Sequence, residues 1–309
     1  MERRGLRPFL KWVGGKRQLL PVLRRYYPAS FGAYFEPFVG SGAMFFDLLA
    51  HGHLDTRPIT LSDDNADLIG CYARVADSLT AVVASLERLA EGHARDGRAH
   101  YLQVRDTQFN PQRAAWRDGG GDVAAYSSEL AAMLIYLNRT GYNGLFRLNS
   151  TGEYNVPPGR YERPNIVDRA LLAEVSKVMA HPNVRVQRAP FDRILADAGA
   201  GDFVYFDPPY APLSATANFR GYTGRGFADA EQRRLQGILI ELAERGVQVL
   251  LSNSTAPAVT GLYENNAHAD AAGLRSWRVP ARRAVNSKAS GRGCVEELVV
   301  SNIAPRPAP

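Results

Sequence analysis

The stretch Tyr34-Phe35-Glu36-Pro37-Phe38-Val39-Gly40-Ser41-Gly42, followed by Ala43 to Ala50, decides the fold. Tyr34–Val39 reads as a short strand that runs into a glycine-rich turn, and Ala43 to about Ala50 reads as a helix. A strand, a glycine turn and a helix in that order place backbone N–H groups where a ligand can approach the chain closely. The turn alone is a weak signal, because it suits several nucleotide-like ligands. The full G-x-G-x-x-G fingerprint is not met, since Phe45 occupies the third glycine position.

Working outward, Ile59–Ser62 is a second strand-like run ending in Asp63-Asp64-Asn65. An acid at the end of the strand after a glycine turn suits ribose hydroxyls; a helix N-cap is the equally open structural reading of Asp63. Residues 66 to about 137 are mostly helical in pattern, broken at Arg117–Asp122 by three glycines. Leu145–Val156 is polar and aromatic, with Asn143-Gly144 and Thr151-Gly152 as turn dipeptides, and reads as a hairpin. Val184–Gln187 and Val247–Ser252 are further strand candidates. Phe203–Phe206 is a buried-strand candidate that stops at Asp207. Ala228–Arg245 is an amphipathic helix ended by Gly246, and Glu296–Val300 is a last strand.

Strands alternating with helices point to a parallel sheet covered on both faces, with ligands at the carboxyl ends of the strands. Three strand ends carry suggestive chemistry, at Gly40–Gly42, Asp63 and Asp207. They lie far apart in the chain but converge on one crevice in such a fold.

The bulk numbers agree with a globular protein. The chain has 309 residues, 45% hydrophobic and 22% charged, and no apolar run of the roughly 20 residues that a bilayer requires. Cys71 and Cys294 lack zinc or disulfide spacing and read as reduced thiols in a soluble intracellular, cytoplasmic protein. The formal net charge of +6 permits a polyanionic partner without proving one. Among the 37 basic residues only Lys11, Lys16, Lys177 and Lys288 are lysines. Codon bias explains most of that preference, although arginine also suits bidentate contacts to phosphate and guanine.

Asp207-Pro208-Pro209-Tyr210 is the sharpest motif. An amino nitrogen conjugated to an aromatic ring, such as adenine N6, is a poor nucleophile because its lone pair is delocalised. Two acceptors that hold both amino hydrogens favour the pyramidal nitrogen and aim its lone pair. The Asp207 carboxylate and the Pro208 carbonyl can serve as that pair, and the two prolines fix the backbone that carries them. Tyr210 offers a flat face for an extruded base. The bland reading is a Pro-Pro turn closing a strand.

With these motifs the chain resembles the Dam-type (class D12, alpha-group) DNA adenine N6-methyltransferases. Phe9-Leu10-Lys11-Trp12-Val13-Gly14-Gly15-Lys16 looks like that family's N-terminal cofactor segment. Phe35–Gly42 is similar to its glycine-rich motif and Asp207–Tyr210 to its catalytic one. Asp207–Phe219 (DPPYAPLSATANF) is close to the bacterial members acting at GATC, and Leu137–Pro157 (LNRTGYNGLFRLNSTGEYNVP) resembles their recognition hairpin.

The resemblance implies a Rossmann-like α/β catalytic domain over 1–65 and 160–309. A mainly helical DNA-recognition subdomain with a β-hairpin is inserted at 66–159. It implies S-adenosylmethionine as cofactor, no metal, and double-stranded DNA as partner. Asp207, Pro208, Pro209 and Tyr210 are then catalytic. Trp12, Gly14, Gly15, Lys16, Phe38, Gly40, Gly42, Asp63 and Asp207 bind the cofactor, Lys16 at its carboxylate and Asp63 at its ribose. Arg147 reads a guanine, as bidentate arginines commonly do. Tyr142 and Asn143 hold the opened duplex, Leu145, Pro157 and Tyr161 complete the reading, and Lys11 contacts the first guanine. Two stretches depart from the family pattern, Arg220–Gly226 (RGYTGRG) and the basic Arg282–Arg292. Two other readings stand beside this one: the same fold acting on another substrate or DNA sequence, and a non-catalytic DNA-binding relic.

Overall fold

The structure is a computed structural model that describes residues 5–12, 16–210, 227, 229–282 and 294–307. Among the described residues seven strands form one sheet: β1 (Tyr34–Glu36), β2 (Ile59–Asp63), β3 (Val184–Arg188), β4 (Phe203–Phe206), β5 (Gln248–Ser254), β6 (Arg275–Arg282) and β7 (Cys294–Ser301). The order is β3-β2-β1-β4-β5-β7-β6. Strands β1 to β5 are parallel, and β7 runs antiparallel between β5 and β6. Direction of winding reverses between β1 and β4, so a crevice opens at the carboxyl ends of those two strands. This is a Rossmann-like methyltransferase fold.

The helices are α1 (Leu20–Leu23), α2 (Ala43–Ala50), α3 (Ala66–Asp77), α4 (Leu79–Arg95), α5 (Gly97–Gln103), α6 (Asn110–Asp118) and α7 (Ser128–Thr140), then α8 (Arg169–Met179), α9 (Ile194–Asp197), α10 (Asp229–Glu244), α11 (Pro257–Tyr263) and α12 (Ala267–Ala271). Their starts follow from local capping chemistry. Asn65, Ser127 and Asp168 each accept a backbone N–H of the first turn of α3, α7 and α8, at 3.1 Å in every case. Gly246, at φ +81°, ends the turn after α10 in a conformation that costs other residues about 1–2 kcal/mol.

Two cores flank the sheet. In β4, Phe203 and Tyr205 join the core shared with α2 to α8, whereas Val204 and Phe206 join the one under α10 and α11. Period-2 alternation with both faces buried is why this strand reads as an unbroken apolar run. Helices α3 to α7 share the first core with Leu61 of β2.

The expected all-parallel sheet is mixed instead, because β6 and β7 form an antiparallel pair at one edge. Strand β6 was not anticipated: Arg275, Arg278 and Pro280 interrupt its apolar pattern. Proline is tolerated there because an edge strand leaves one row of N–H groups unpaired. The expected hairpin after α7 is an antiparallel excursion with two isolated bridges, Gly141 to Pro158 at its base and Leu148 to Tyr154 nearer its tip, rather than a two-stranded ladder.

Candidate functional site

Four strand ends meet at the crevice. Gly40 and Gly42 sit after β1 at φ +47° and +69°. A Cβ built on Gly40 would fall 2.9 Å from Trp12 Cδ1, so this turn needs glycine for space as well as for conformation. Asp63, ending β2, accepts the Gly40 N–H at 3.2 Å and the Asn65 N–H at 3.0 Å. The helix cap is therefore Asn65, and Asp63 is left facing the turn. Burial pushes its carboxyl up to about 6, against the pull of those two N–H groups. Phe38 stacks on Phe191 at 5.3 Å and meets the edge of Phe227 at 5.6 Å, forming an aromatic wall.

Asp207 ends β4. Its Oδ1 lies 2.9 Å from Lys16 Nζ and accepts Ser252 Oγ at 3.4 Å, and Ser252 in turn is 2.7 Å from the Tyr205 hydroxyl. Burial pushes Asp207 up to about 6; Lys16 and the serine oppose that rise while Glu297 adds to it. Lys16 is 4% exposed, and besides Asp207 it donates to the Tyr210 hydroxyl and stands 3.8 Å from Glu297 Oε2. Tyr210 donates to Glu297 at 2.6 Å. The carbonyl of Pro209 accepts Gln232 Nε2 at 3.4 Å, and Asn253 on β5 holds the Gln232 side chain at 3.0 Å.

Glu36, fully buried between these groups, accepts the Tyr34 hydroxyl at 2.8 Å and the Phe45 N–H at 3.2 Å. Burial, with the nearby charges of Asp207 and Asp63, pushes it up to about 8. It is thus the weakest acid of the three carboxyls, above Asp63 and Asp207, and the one most readily left protonated. Such a cluster offers acceptors for an amino group at Asp207, acceptors for hydroxyls at Asp63, and a flat apolar wall at Phe38. Among the described residues no three His, Cys, Asp or Glu side chains converge as metal ligands.

The second group of residues surrounds the segment after α7. Asn138 accepts the Lys11 N–H at 2.8 Å and donates to the carbonyls of Lys11 at 2.6 Å and Gly144 at 3.0 Å. This buried amide fastens the N-terminal segment to the Tyr142-Asn143-Gly144 turn, where Asn143 and Gly144 are left-handed at φ 54° and 63°. Lys11 Nζ lies 4.1 Å from the Tyr161 ring centre. Tyr142 N–H donates to the Pro157 carbonyl at 2.9 Å, closing the base of the excursion. Tyr142 and Tyr161 are 44% and 39% exposed, and with Asn143, Gly159 and Arg160 they line a cleft of about 230 Å³. Exposed large aromatics beside a cation are suited to contact a partner.

Arg147 folds back on its own hairpin, donating to Asn155 Oδ1 at 2.7 Å and the Asn155 carbonyl at 3.1 Å. Leu145 is half-buried, and its carbonyl accepts the Tyr154 hydroxyl at 3.0 Å. One side of α5–α6 clamps the far limb of the hairpin. Tyr101 and Arg105 donate to the Val156 carbonyl at 3.0 and 2.9 Å, and the Asn110 amide pairs both ways with the Tyr154 backbone. Arg113 donates to the Gly152 carbonyl at 2.5 Å while ion-paired with buried Asp67 at 2.7 Å. Trp12 joins the two groups of residues, touching the Gly40 turn and stacking on Phe146 at 5.6 Å.

The structure thus brings Trp12, Lys16, Phe38, Gly40, Gly42, Asp63 and Asp207–Tyr210 to one crevice, and gathers Lys11, Tyr142, Asn143, Pro157 and Tyr161 around the cleft. Gly14 and Gly15 lie outside the described residues, as do residues 211–226 and 283–292. Sequence reasoning missed Glu36, Tyr205, Gln232, Ser252, Asn253, Phe191, Asn138 and Glu297. Gln232 carried a signal, since it falls on the apolar stripe of α10 with Leu235, Leu239 and Leu242. The polar Ser252-Asn253 after Val249-Leu250-Leu251 carried another.

Comparison with known proteins agrees with this geometry. Residues 12–276 match the D12 class N6 adenine-specific DNA methyltransferase family. The chain is 37% identical over 298 residues to the Type II methyltransferase M1.LlaDCHI of Lactococcus lactis subsp. cremoris, covering 96% of this chain and 95% of that one. It is 35% identical to the Type II methyltransferase M.MjaIII of Methanocaldococcus jannaschii, covering 96% and 99%. It is 34% identical to the DNA adenine methylase of Escherichia coli K12, covering 95% and 94%. With the match spanning most of the chain and the relatives aligned nearly end to end, this protein belongs to the D12 class N6 adenine-specific DNA methyltransferases.

Proposed function

We propose that the protein methylates adenine N6 within GATC in double-stranded DNA, using S-adenosylmethionine and turning the target base out of the duplex. The observation that carries the reading is Asp207, an acceptor at the end of β4 held between Lys16 and Ser252 in a crevice that also contains Asp63 and the Gly40 turn.

The residues present fit the cofactor. The Gly40 turn has no room for a side chain, Asp63 can accept ribose hydroxyls, Phe38 offers a face for a flat ring, and Lys16 is a buried cation within reach of a carboxylate. When bound, S-adenosylmethionine supplies an electrophilic methyl group on a sulfonium. Asp207 then accepts one N6 hydrogen, with the Pro208 carbonyl as the second acceptor, and Tyr210 stacks on the base. Gln232 already occupies the neighbouring Pro209 carbonyl, which fixes the turn without using the Pro208 acceptor.

Residues 66–159 form the recognition subdomain in this reading. Arg147 leaves Asn155 to engage guanine, Leu145, Pro157 and Tyr161 border the site, Lys11 meets the first guanine, and Tyr142 with Asn143 fills the opened duplex. The resemblance of Leu137–Pro157 to the recognition hairpin of enzymes acting at GATC supports that sequence.

The test is to incubate the purified protein with S-adenosylmethionine and unmethylated plasmid and to map N6-methyladenine base by base. Methylation confined to GATC is expected. Methylation at another sequence would keep the chemistry and overturn the assignment of readers, and methylation of no DNA by cofactor-binding protein would overturn the function.

A further inference from the structure

Three of the four Asp207–Tyr210 residues are held from the strands behind them. Ser252 of β5 bonds Asp207, Asn253 of β5 acts through Gln232 on Pro209, and Glu297 of β7 accepts the Tyr210 hydroxyl. Glu297 pairs with Ser254 in the antiparallel register of β5 and β7, so its carboxylate is fixed to the sheet rather than to a loop. At 2.6 Å the contact is a short, charge-assisted hydrogen bond, of the stronger kind. The same hydroxyl accepts a hydrogen bond from Lys16, whose Nζ lies 4.0 Å from the ring centre. A tyrosine side chain has two free rotations, and tethering its far atom at a fixed point removes most of that freedom.

We infer that Glu297 is a positioning residue for methyl transfer: it orients the Tyr210 ring against the target base by holding its hydroxyl. The inference rests on the reading above in which Tyr210 stacks on an extruded adenine. Glu297 itself touches Tyr210 and approaches Lys16, not the base, so its effect on the rate passes through the ring. The predicted signature is interdependence. Once the hydroxyl is gone, Glu297 no longer holds the ring, only its longer 3.8 Å approach to Lys16 remains, and its removal adds little further cost.

The test is a double-mutant cycle on single-turnover methyl transfer at saturating cofactor and DNA, with Glu297→Ala, Tyr210→Phe, the double variant and Glu297→Gln. Each of the first two should slow transfer about tenfold or more, the double variant should be no slower than the worse of them, and Glu297→Gln, which keeps an acceptor oxygen, should stay within about threefold of wild type. Multiplying losses in the double variant, an unimpaired Glu297→Ala, or a Glu297→Gln as slow as Tyr210→Phe would each overturn the inference. The last comparison decides alone if Glu297→Ala does not fold. In parallel, 2-aminopurine placed at the target position should emit more strongly with Glu297→Ala than with wild type, because the extruded base loses its stacking partner. Absence of any emission change on binding wild-type protein would count against base extrusion, while the kinetic cycle would still decide the role of Glu297.

Discussion

The ammonium of Lys16 stands 2.9 Å from the Asp207 carboxylate, and both are enclosed at the end of β4. Burial lifts Asp207 to about 6, and Lys16 is the principal group restraining that rise, ahead of Ser252. The ionised carboxylate is a stronger acceptor of amino hydrogens than the protonated acid, so protonation of Asp207 weakens its hold on the target amino group. The pH profile of kcat/KM, which reports groups of the free enzyme, should therefore fall as pH drops through about 6, well above the ordinary aspartate range. Lys16→Met, which withdraws the cation, should move that acid limb upward by about 1 pH unit or more. A pH profile of kcat/KM for the two proteins checks this; coincident limbs would contradict the coupling.

At Gly40 the expected cost of change is both steric and conformational. Gly40→Ala places a Cβ against Trp12 at a left-handed φ, and should lose about 1–2 kcal/mol of stability by denaturant titration. Weaker S-adenosylmethionine binding should accompany it, because Trp12 must shift away from the turn. Unchanged cofactor affinity by calorimetry would remove the turn from the cofactor site.

Arg147 is parked on Asn155, a partner it can exchange for a base edge without leaving a buried charge unpaired. Arg147→Ala should lower discrimination against a substituted guanine by about 1–3 kcal/mol in relative kcat/KM. Competition between matched and mismatched duplexes measures it, and an unaltered ratio would assign the arginine to the hairpin alone.

Much of this architecture was legible in the chain, for physical reasons that differ from place to place. Strand β4 announced itself because both faces are buried, and α2 because two left-handed glycines precede it. Asp63 and Asp207 were legible as acids terminating apolar strands. Strand β6 was not, since an edge strand with Arg275, Arg278 and Pro280 breaks the alternation on which such readings depend. The hairpin was legible as a turn, but its clamps were not. Tyr101, Arg105, Asn110 and Arg113 lie some 40 to 55 residues from their partners, and only the packing of α5–α6 brings them together. Glu297 escaped for the same reason: an acid in Val295-Glu296-Glu297-Leu298 is ordinary until β7 delivers it to Tyr210.

The most direct measurement follows transfer of a labelled methyl group from S-adenosylmethionine to DNA by wild-type protein and by Asp207→Ala, with the modified nucleoside identified after digestion and the melting temperature taken for both. Wild type should yield N6-methyladenine, and Asp207→Ala should lose at least about 10²–10³-fold in rate while melting as a folded protein. A folded Asp207→Ala enzyme with near-normal turnover would contradict the assignment of this crevice as the site of methyl transfer.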